Sequence, residues 1–454
     1  MTKLENSRRK FIQQAALVGA GVLVSKVSWS AQSYNRIMGA NDRVRVGVVG
    51  FSDRHKFSHL PAFMEHYKEL NFDVVAVSDI WKQRRDEGAA TWKEKMQHNI
   101  TACRNNEEMY DKKLVDAVFI STADFQHALH AIEAVKAGCD VYCEKPFAET
   151  MEDNRAALKA IKATDRIVQI GSQRRSGKNY HAANDFIRSG KFGDITMVEL
   201  TWNVNQPGRW RRPDLVSQLK EEDVDWKRFL MNRPFEKFDP RKYLEYRLFW
   251  PYSSGAPGQW MSHQIDTVHW FTGLQHPRSV VANGGIYKWK DGRTNWDTTT
   301  AVFDYGPTAD PSNGFQVTFS SRMHNGDENP MEIYYSNGGE LNLNTNMVSP
   351  KGGLKENHAS AMKMKPVLLP ESSLSTVEKV VASANTGGDR LTSSHVRNWM
   401  ECVRSRKAPN APVEAGYNHS IATIMTNAAV QTGLKATFDE KTQEVMVGGK
   451  AFKY

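Results

Sequence analysis

Residues 140–146 read Asp-Val-Tyr-Cys-Glu-Lys-Pro. Val141, Tyr142 and Cys143 make a short apolar run of types that favour a strand. Pro146 ends it, because its ring fixes φ and removes a ladder donor. Lys145 therefore stands at the carboxyl end of a strand, where open α/β sheets bind their ligands. Alone, the triplet 144–146 also fits a solvated lysine beside a glutamate. The surroundings decide.

Those surroundings repeat one pattern. Residues 43–50, 73–79, 115–121, 140–143 and 167–171 read as strands apolar along their length, with helices expected over 57–67, 126–136 and 151–163. In the helix over 126–136, Leu129, Ile132, Ala134 and Val135 are expected to face inward. Strands alternating with helices predict an α/β fold whose amino-terminal part is a doubly wound parallel, Rossmann-like sheet. After Gly171 the pattern changes to a helix over 180–189, a strand over 196–204 and an aromatic-rich segment over 202–252. A helix over 258–272 carries His263, Asp266 and His269, and strands follow over 279–287, 298–305, 315–320 and 331–335. Their alternation predicts an antiparallel sheet. Residues 351–390 read as a polar surface loop, ahead of helices over 393–406 and 414–434 and a short terminal strand.

A chain of 454 residues exceeds what one core organises, so two domains are expected, 42–170 and 171–454, with the final helices able to pack back on the first. Residues 1–31 stand apart. Arg8, Arg9 and Phe11 precede an apolar stretch over 15–24, and small residues follow at Ser28, Ser30 and Ala31. This resembles a twin-arginine signal peptide, an address rather than an anchor, and predicts export to the periplasm with no membrane anchor after processing. The alternative is an amphipathic start on a cytosolic protein. The net charge of +9 is spread along the chain with no basic run interleaved with aromatics, which speaks for solubility and against nucleic-acid binding. Cys103, Cys139, Cys143 and Cys402 form no Cys-x-x-Cys pair and read as small buried hydrophobes, although export would permit a disulfide.

The first strand runs into Gly50, Phe51 and Ser52. Of the three fingerprint glycines of a dinucleotide turn only Gly50 is present, with Ser52 and His55 at the other two positions. Asp79, ending the second strand, is placed to accept ribose hydroxyls and to repel a 2′-phosphate, which favours NAD over NADP. Arg84 and Arg85 follow on helical spacing and are expected to face solvent.

Together these residues resemble the Gfo/Idh/MocA family of NAD(P)-dependent sugar and cyclitol oxidoreductases. The resemblance rests on Glu144-Lys145-Pro146, on Thr122-Ala123-Asp124 with His127, on Gly171-Ser172-Gln173-Arg174-Arg175, and on 258–266, Gly-Gln-Trp-Met-Ser-His-Gln-Ile-Asp. It implies a second domain with a large open antiparallel sheet, and a cofactor site of Gly50, Phe51, Ser52, Asp79, Ser121, Thr122, His127, Glu144 and Lys145. It also implies substrate contacts from Arg174, Gln259 and Asp266. Gln259 stands where many members carry an acid, and glutamine only hydrogen-bonds.

Oxidising a secondary alcohol needs a hydride acceptor and a base. A lysine beside the positive nicotinamide is pushed toward its neutral form, so Lys145 is expected to hold the hydroxyl and relay its proton, with His263 as the base. Asp266 either orients substrate or serves its helix. His263, Asp266 and His269 stand at i, i+3 and i+6, so the two histidines point about 120° apart around a helix and cannot be assumed to converge on one ion; no metal is expected. The aromatics over 202–252 fit a core, with Trp210 and Tyr252 as candidates to stack on a sugar. Arg209, Arg211 and Arg212 fit a carboxylated or phosphorylated sugar, or a solvated basic loop.

The expected function is NAD-dependent oxidation of a secondary hydroxyl of a sugar or glycoside, the pyranose 3-hydroxyl being the family-like position. An exported enzyme would have to keep and recycle its cofactor, since the periplasm offers no free pool. The alternatives are an NAD-dependent glycosidase working through transient oxidation and elimination, and a non-catalytic sugar-binding relative. A broad open sheet has a face to cover, which predicts a homodimer or homotetramer.

Overall fold

Six parallel strands, β1 (Val44–Val49), β2 (Phe72–Ser78), β3 (Thr101–Cys103), β4 (Ala117–Ile120), β5 (Asp140–Cys143) and β6 (Val168–Ile170), lie in the order β3-β2-β1-β4-β5-β6. The coordinates are a computed structural model that describes residues 42–310, 312–327, 330–374 and 390–453. Residues 1–31, expected to be a twin-arginine signal, lie outside the described residues, as do 375–389. Strands β4 and β5 are buried along their whole length because helices cover both faces, which is why they read as continuous apolar runs. Strand order reverses between β1 and β4, and that switch point opens the crevice in which such sheets bind ligands.

The helix after β4, His127–Lys136, buries Ala128, Ala131, Ala134 and Val135, while Leu129 and Ile132 are only half-buried. Ala134 and Val135 face inward as expected, and Ala128 and Ala131, which allow close approach to the sheet, take the places expected of Leu129 and Ile132. Helix Lys82–Met96, helix Asn106–Asp111 and strand β3 have weak apolar periodicity and are additions to the expected pattern.

The second sheet has eleven strands among the described residues. At its centre β7 (Ile195–Thr201) pairs with two strands from much later in the chain. These are β10 (Phe315–Arg322), parallel, and β11 (Met331–Ser336), antiparallel. From β10 the sheet runs outward through β9 (Thr298–Tyr305) and β8 (Ser279–Gly285). It continues into a terminal meander of β15 (Ala436–Asp439), β16 (Glu444–Val447) and β17 (Lys450–Ala451), where one terminal strand was expected. From β11 it runs through β12 (Gly339–Asn342), β13 (Met347–Ser349) and β14 (Ser372–Ser373). The sheet is mostly antiparallel, and β7–β10 is its parallel pair.

The last two helices tie the layers together. On Arg390–Ser405, Val396, Trp399, Met400 and Val403 enter the same core as Val46, Phe63, Phe119 and Tyr142. Helix Val413–Thr432 is buried nearly all round, as expected of a helix between two layers. Gly416 allows this, since a Cβ there would lie 2.8 Å from Phe147 and 3.0 Å from Ile170. All four cysteines are free and buried.

The aromatic-rich segment forms short helices, Pro213–Gln218, Trp226–Leu230 and Pro240–Leu244, that run back to the parallel sheet. Trp226, Phe229, Leu248, Phe249 and Tyr252 pack with Ala123 and Phe125 from the turn after β4. Val224 bridges Trp81, and the Asp225 N–H donates to the Ile80 carbonyl at 3.2 Å. The segment is thus a strap across the crevice.

Candidate active site

The crevice is a cavity of about 870 Å³. At one end lies the turn after β1. Gly50 has φ +81°, and a Cβ there would sit 2.8 Å from Thr122 Cγ2, so only glycine fits. The Phe51 N–H donates to Asp79 Oδ2 and the Trp81 N–H to Oδ1, both at 2.9 Å, while the Ser121 hydroxyl donates to the Gly50 carbonyl at 2.9 Å. Burial pushes the Asp79 carboxyl up despite those donors. His55 fills the third fingerprint position and is buried against Phe51, His59 and Trp92. The close approach usually supplied there comes from Gly88 on the next helix, where a Cβ would meet Phe51 Cγ at 2.7 Å and Val77 Cγ1 at 2.9 Å.

Arg84 does not face solvent. It pairs with Asp53 Oδ1 at 2.9 Å and lines the cavity, and Arg85 donates to the Asp79 carbonyl at 2.9 Å. Their short side of the helix is turned to the strand end by Asp53 and Asp79, a charge complement that spacing alone does not reveal.

Glu144 and Lys145 follow β5. The Glu144 carboxylate accepts from His59 Nε2 (2.7 Å), Arg54 Nε (2.9 Å) and Gln173 Nε2 (3.2 Å). Burial opposes its ionisation, yet Arg54, His59 and Lys145 hold it well below the usual carboxylate range. Gly171 makes room for it, as a Cβ there would lie 3.0 Å from its carboxyl carbon. The Lys145 ammonium donates to the Gln259 carbonyl at 2.6 Å. Burial brings its pKa down to about 7, against the opposing pull of Glu144 and Asp124.

Gln259 lies on a π-helical turn, Pro257–Met261, that precedes helix Ser262–Thr272. The turn packs against Pro146 through Gly258, where a Cβ would be 3.2 Å from the proline ring. The Gln259 amide bridges two charges, accepting from Arg247 Nε at 2.9 Å and donating to Asp124 Oδ2 at 2.6 Å. One turn on, His263 reaches the cavity beside Trp202, with ring centroids 6.0 Å apart. Burial, then Lys145 and Arg174, push its pKa well below 6.5, so it is neutral at physiological pH.

The cavity wall includes Gly50, Phe51, Ser52, Asp79, Ser121, Thr122, His127, Glu144, Lys145, Arg174, Trp210, Gln259 and His263. Two expected contacts lie elsewhere. Tyr252 is buried in the strap's core against Phe125 and Phe229, and Asp266 is buried in an ion pair with Arg175 at 2.8 Å. Helix Ser262–Thr272 turns His269 away too, to the Tyr305 hydroxyl at 2.8 Å. Arg174 touches the cavity but is paired with Glu332. His127 lies 2.7 Å from the Pro146 carbonyl through Nδ1, so it braces the lysine turn. Sequence reasoning passed over Arg54, Arg247, Trp202 and Trp260, which line the wall. Trp260 had a signal, its place beside Gln259; the arginines had none, since their partners are more than ten residues distant or across the fold.

Residues 44–172 match the family model of the Gfo/Idh/MocA oxidoreductases, described as an NAD-binding Rossmann fold. The match spans the whole of the first sheet. Among curated proteins, inositol 2-dehydrogenase of Salmonella typhimurium is 27% identical over 195 residues, 42% of this chain and 54% of that protein. The chain thus spans about half the length of the curated relatives it matches. Among solved structures, WlbA dehydrogenase of Bordetella pertussis, in complex with NADH and UDP-GlcNAcA, has a TM-score of 0.62 at 16% identity, covering 87% of this chain and 99% of that one. Levoglucosan dehydrogenase, in complex with NADH and levoglucosan, has a TM-score of 0.61 at 14% identity, covering 87% and 99%. At these identities the likeness is one of fold.

The turn fits NAD on its own geometry. Gly50 leaves the close approach open, Asp79 keeps its carboxylate at the cavity edge, and the Thr122 hydroxyl is buried without a partner. A 2′-phosphate would meet the Asp79 carboxylate.

Proposed function

We propose that the protein is an NAD-dependent oxidoreductase that oxidises a secondary hydroxyl of a sugar or glycoside and keeps its cofactor between turnovers. One observation carries this reading. Lys145, from the end of β5, and His263, from a helix of the second layer, reach one cavity whose other end is the dinucleotide turn. NAD, when bound, supplies the hydride acceptor. Lys145, with a pKa near the working pH, takes the hydroxyl proton, because an acid–base group is most effective when its pKa matches ambient pH. This reverses the order expected from unperturbed values. His263 is too weak a base, and as a neutral ring it hydrogen-bonds the substrate and fixes which hydroxyl meets Lys145.

Retention of the cofactor is supported by the strap. Arg212 reaches Asp53 in the phosphate turn at 2.9 Å, and Tyr243 packs edge-on against Trp81 at 6.2 Å. A buried cofactor suits an exported protein, and the reading includes export by the twin-arginine route and pyranose C3 as the oxidised position. Homo-oligomerisation through the second sheet belongs to the same proposal.

The test is to purify the full chain, denature it without added nucleotide and quantify released NAD(H) by mass and absorbance. Near-stoichiometric NAD, together with acceptor-dependent oxidation of methyl or p-nitrophenyl glycosides, is expected. Release of p-nitrophenol with no external acceptor would replace oxidation by redox-assisted hydrolysis. Protein that neither carries nor binds NAD would overturn the reading, and full function in Lys145→Ala would leave only a sugar-binding role.

A further inference from the structure

The three arginines at 209, 211 and 212 separate in the fold. Arg211 is paired with Glu245 at 3.0 Å and Asp291 at 3.2 Å, and Arg212 with Asp53. Other cavity arginines are matched too, Arg54 by Glu144, Arg84 by Asp53, Arg174 by Glu332, Arg228 by Glu133 and Arg247 by Asp124 at 3.8 Å, while Arg390 at the cavity rim is exposed to solvent. Arg209 is different. Among the described residues its side chain hydrogen-bonds only the Gln206 side-chain oxygen, through Nη1, and no carboxylate lies within ion-pair distance. Its Nε–H is buried and unpaired. Burial and the nearby Arg247 lower its pKa to about 10, so it remains charged at neutral pH.

Its surroundings are aromatic. The guanidinium carbon lies 5.2 Å from the Trp260 ring centroid and 5.9 Å from that of Trp210. Trp260 in turn stacks toward Trp202 at 6.2 Å and 9°, and Trp202 toward His263 at 6.0 Å. Gln259, next to Trp260, holds Lys145 through its carbonyl. The charged group is therefore on the Gln259 side of the lysine, against the Trp260 and Trp210 indoles with Trp202 stacked beyond Trp260.

A half-buried cation with a buried, unpaired N–H and no counter-charge is costly and marks a place that an anion completes. A guanidinium edge with unpaired N–H groups matches the fork of a carboxylate, and the indole faces suit the apolar face of a pyranose. We propose that the substrate is a sugar acid, a uronate or uronate glycoside, whose carboxylate pairs with Arg209 with Arg247 adding to the local positive field. The inference rests on the cavity being the sugar site of the proposed oxidoreductase and names its substrate class.

The test reads binding apart from turnover. Full-length wild type, Arg209→Gln and Arg209→Lys are titrated with methyl glucuronide, methyl glucoside and glucose 6-phosphate, following tryptophan fluorescence, with NAD content measured on each variant as the control for folding. Wild type is expected to bind the glucuronide roughly 30-fold or more tighter than the glucoside, the margin of a desolvated charge pair. Arg209→Gln is expected to lose that margin with its NAD content intact, and Arg209→Lys to restore part of it. Equal binding of glucuronide and glucoside by wild type, or an unaltered preference in Arg209→Gln, overturns the inference. Preference for glucose 6-phosphate over the glucuronide also overturns it, in favour of a phosphorylated sugar. Glucuronide binding without oxidation of any sugar overturns the oxidoreductase reading and leaves the sugar-acid site standing.

Discussion

At the scale of the residue, Lys145 is a cation whose charge is set by what surrounds it. Burial lowers its pKa to about 7 and Glu144 opposes that shift. A base must be neutral to accept a proton, so kcat/KM for sugar oxidation is expected to rise with pH along a limb of unit slope with its midpoint near 7, and to level off above it. A pH–rate profile with no inflection between pH 5.5 and 8.5 would remove Lys145 as the base. Lys145→Met should lower kcat by roughly 10²–10⁴-fold. Replacing Glu144 by Gln removes a charge that favours the ammonium, so the Lys145 pKa falls further and the acid limb moves to lower pH. The same substitution leaves Arg54 and His59 without their shared anion, and lower thermal stability should accompany the shifted profile.

Elements decide how those residues meet. Trp399 is fully buried under the parallel sheet, its ring 4.8 Å from Phe119 and 6.0 Å from Phe72 and Tyr142. Trp399→Ala is expected to cost about 3–5 kcal/mol in chemical denaturation, because the vacated volume lies between a helix and a sheet that cannot both relax. The strap is held by smaller forces. The Arg212–Asp53 pair is partly exposed and worth at most about 1 kcal/mol. Arg212→Ala should therefore speed NAD release by no more than about fivefold, measured by displacement with an excess of a nucleotide analogue. A hundredfold effect would mean that Arg212 contacts the nucleotide itself.

At the scale of the whole molecule, the helices that join the layers bury histidines. His395 lies between the Ile170 carbonyl (2.8 Å) and the Ser176 hydroxyl (2.6 Å), and His419 Nε2 accepts from the Phe147 N–H at 3.3 Å. Burial lowers their pKa values to about 4 and about 3. Because both folded values lie below the ordinary 6.5, the unfolded chain binds more protons as pH falls below 6.5. Stability from these groups is complete above about pH 6.5 and drains toward pH 4, at up to about 1.4 kcal/mol per pH unit for each histidine. A melting temperature that stays flat from pH 7 to 4.5 would show that other groups compensate.

The sequence by itself determined the parallel sheet, because strands buried on both faces must be apolar throughout and their helices must alternate with them. It also marked Gly50, Asp79 and Lys145, since backbone clearance and position at a strand end are local properties, and marked His263 through the resemblance over 258–266. It marked Asp266 and Tyr252 as candidates equally well, being blind to direction. Only the tertiary structure turned Asp266 to Arg175 and folded Tyr252 into the strap's core. It also drew Arg84 to Asp53, let Gly88 stand in for a missing fingerprint glycine, and left Arg209 without a counter-charge while Arg211 and Arg212 found theirs. Charge pairing and desolvation depend on neighbours far apart in the chain, and those the fold alone brings together.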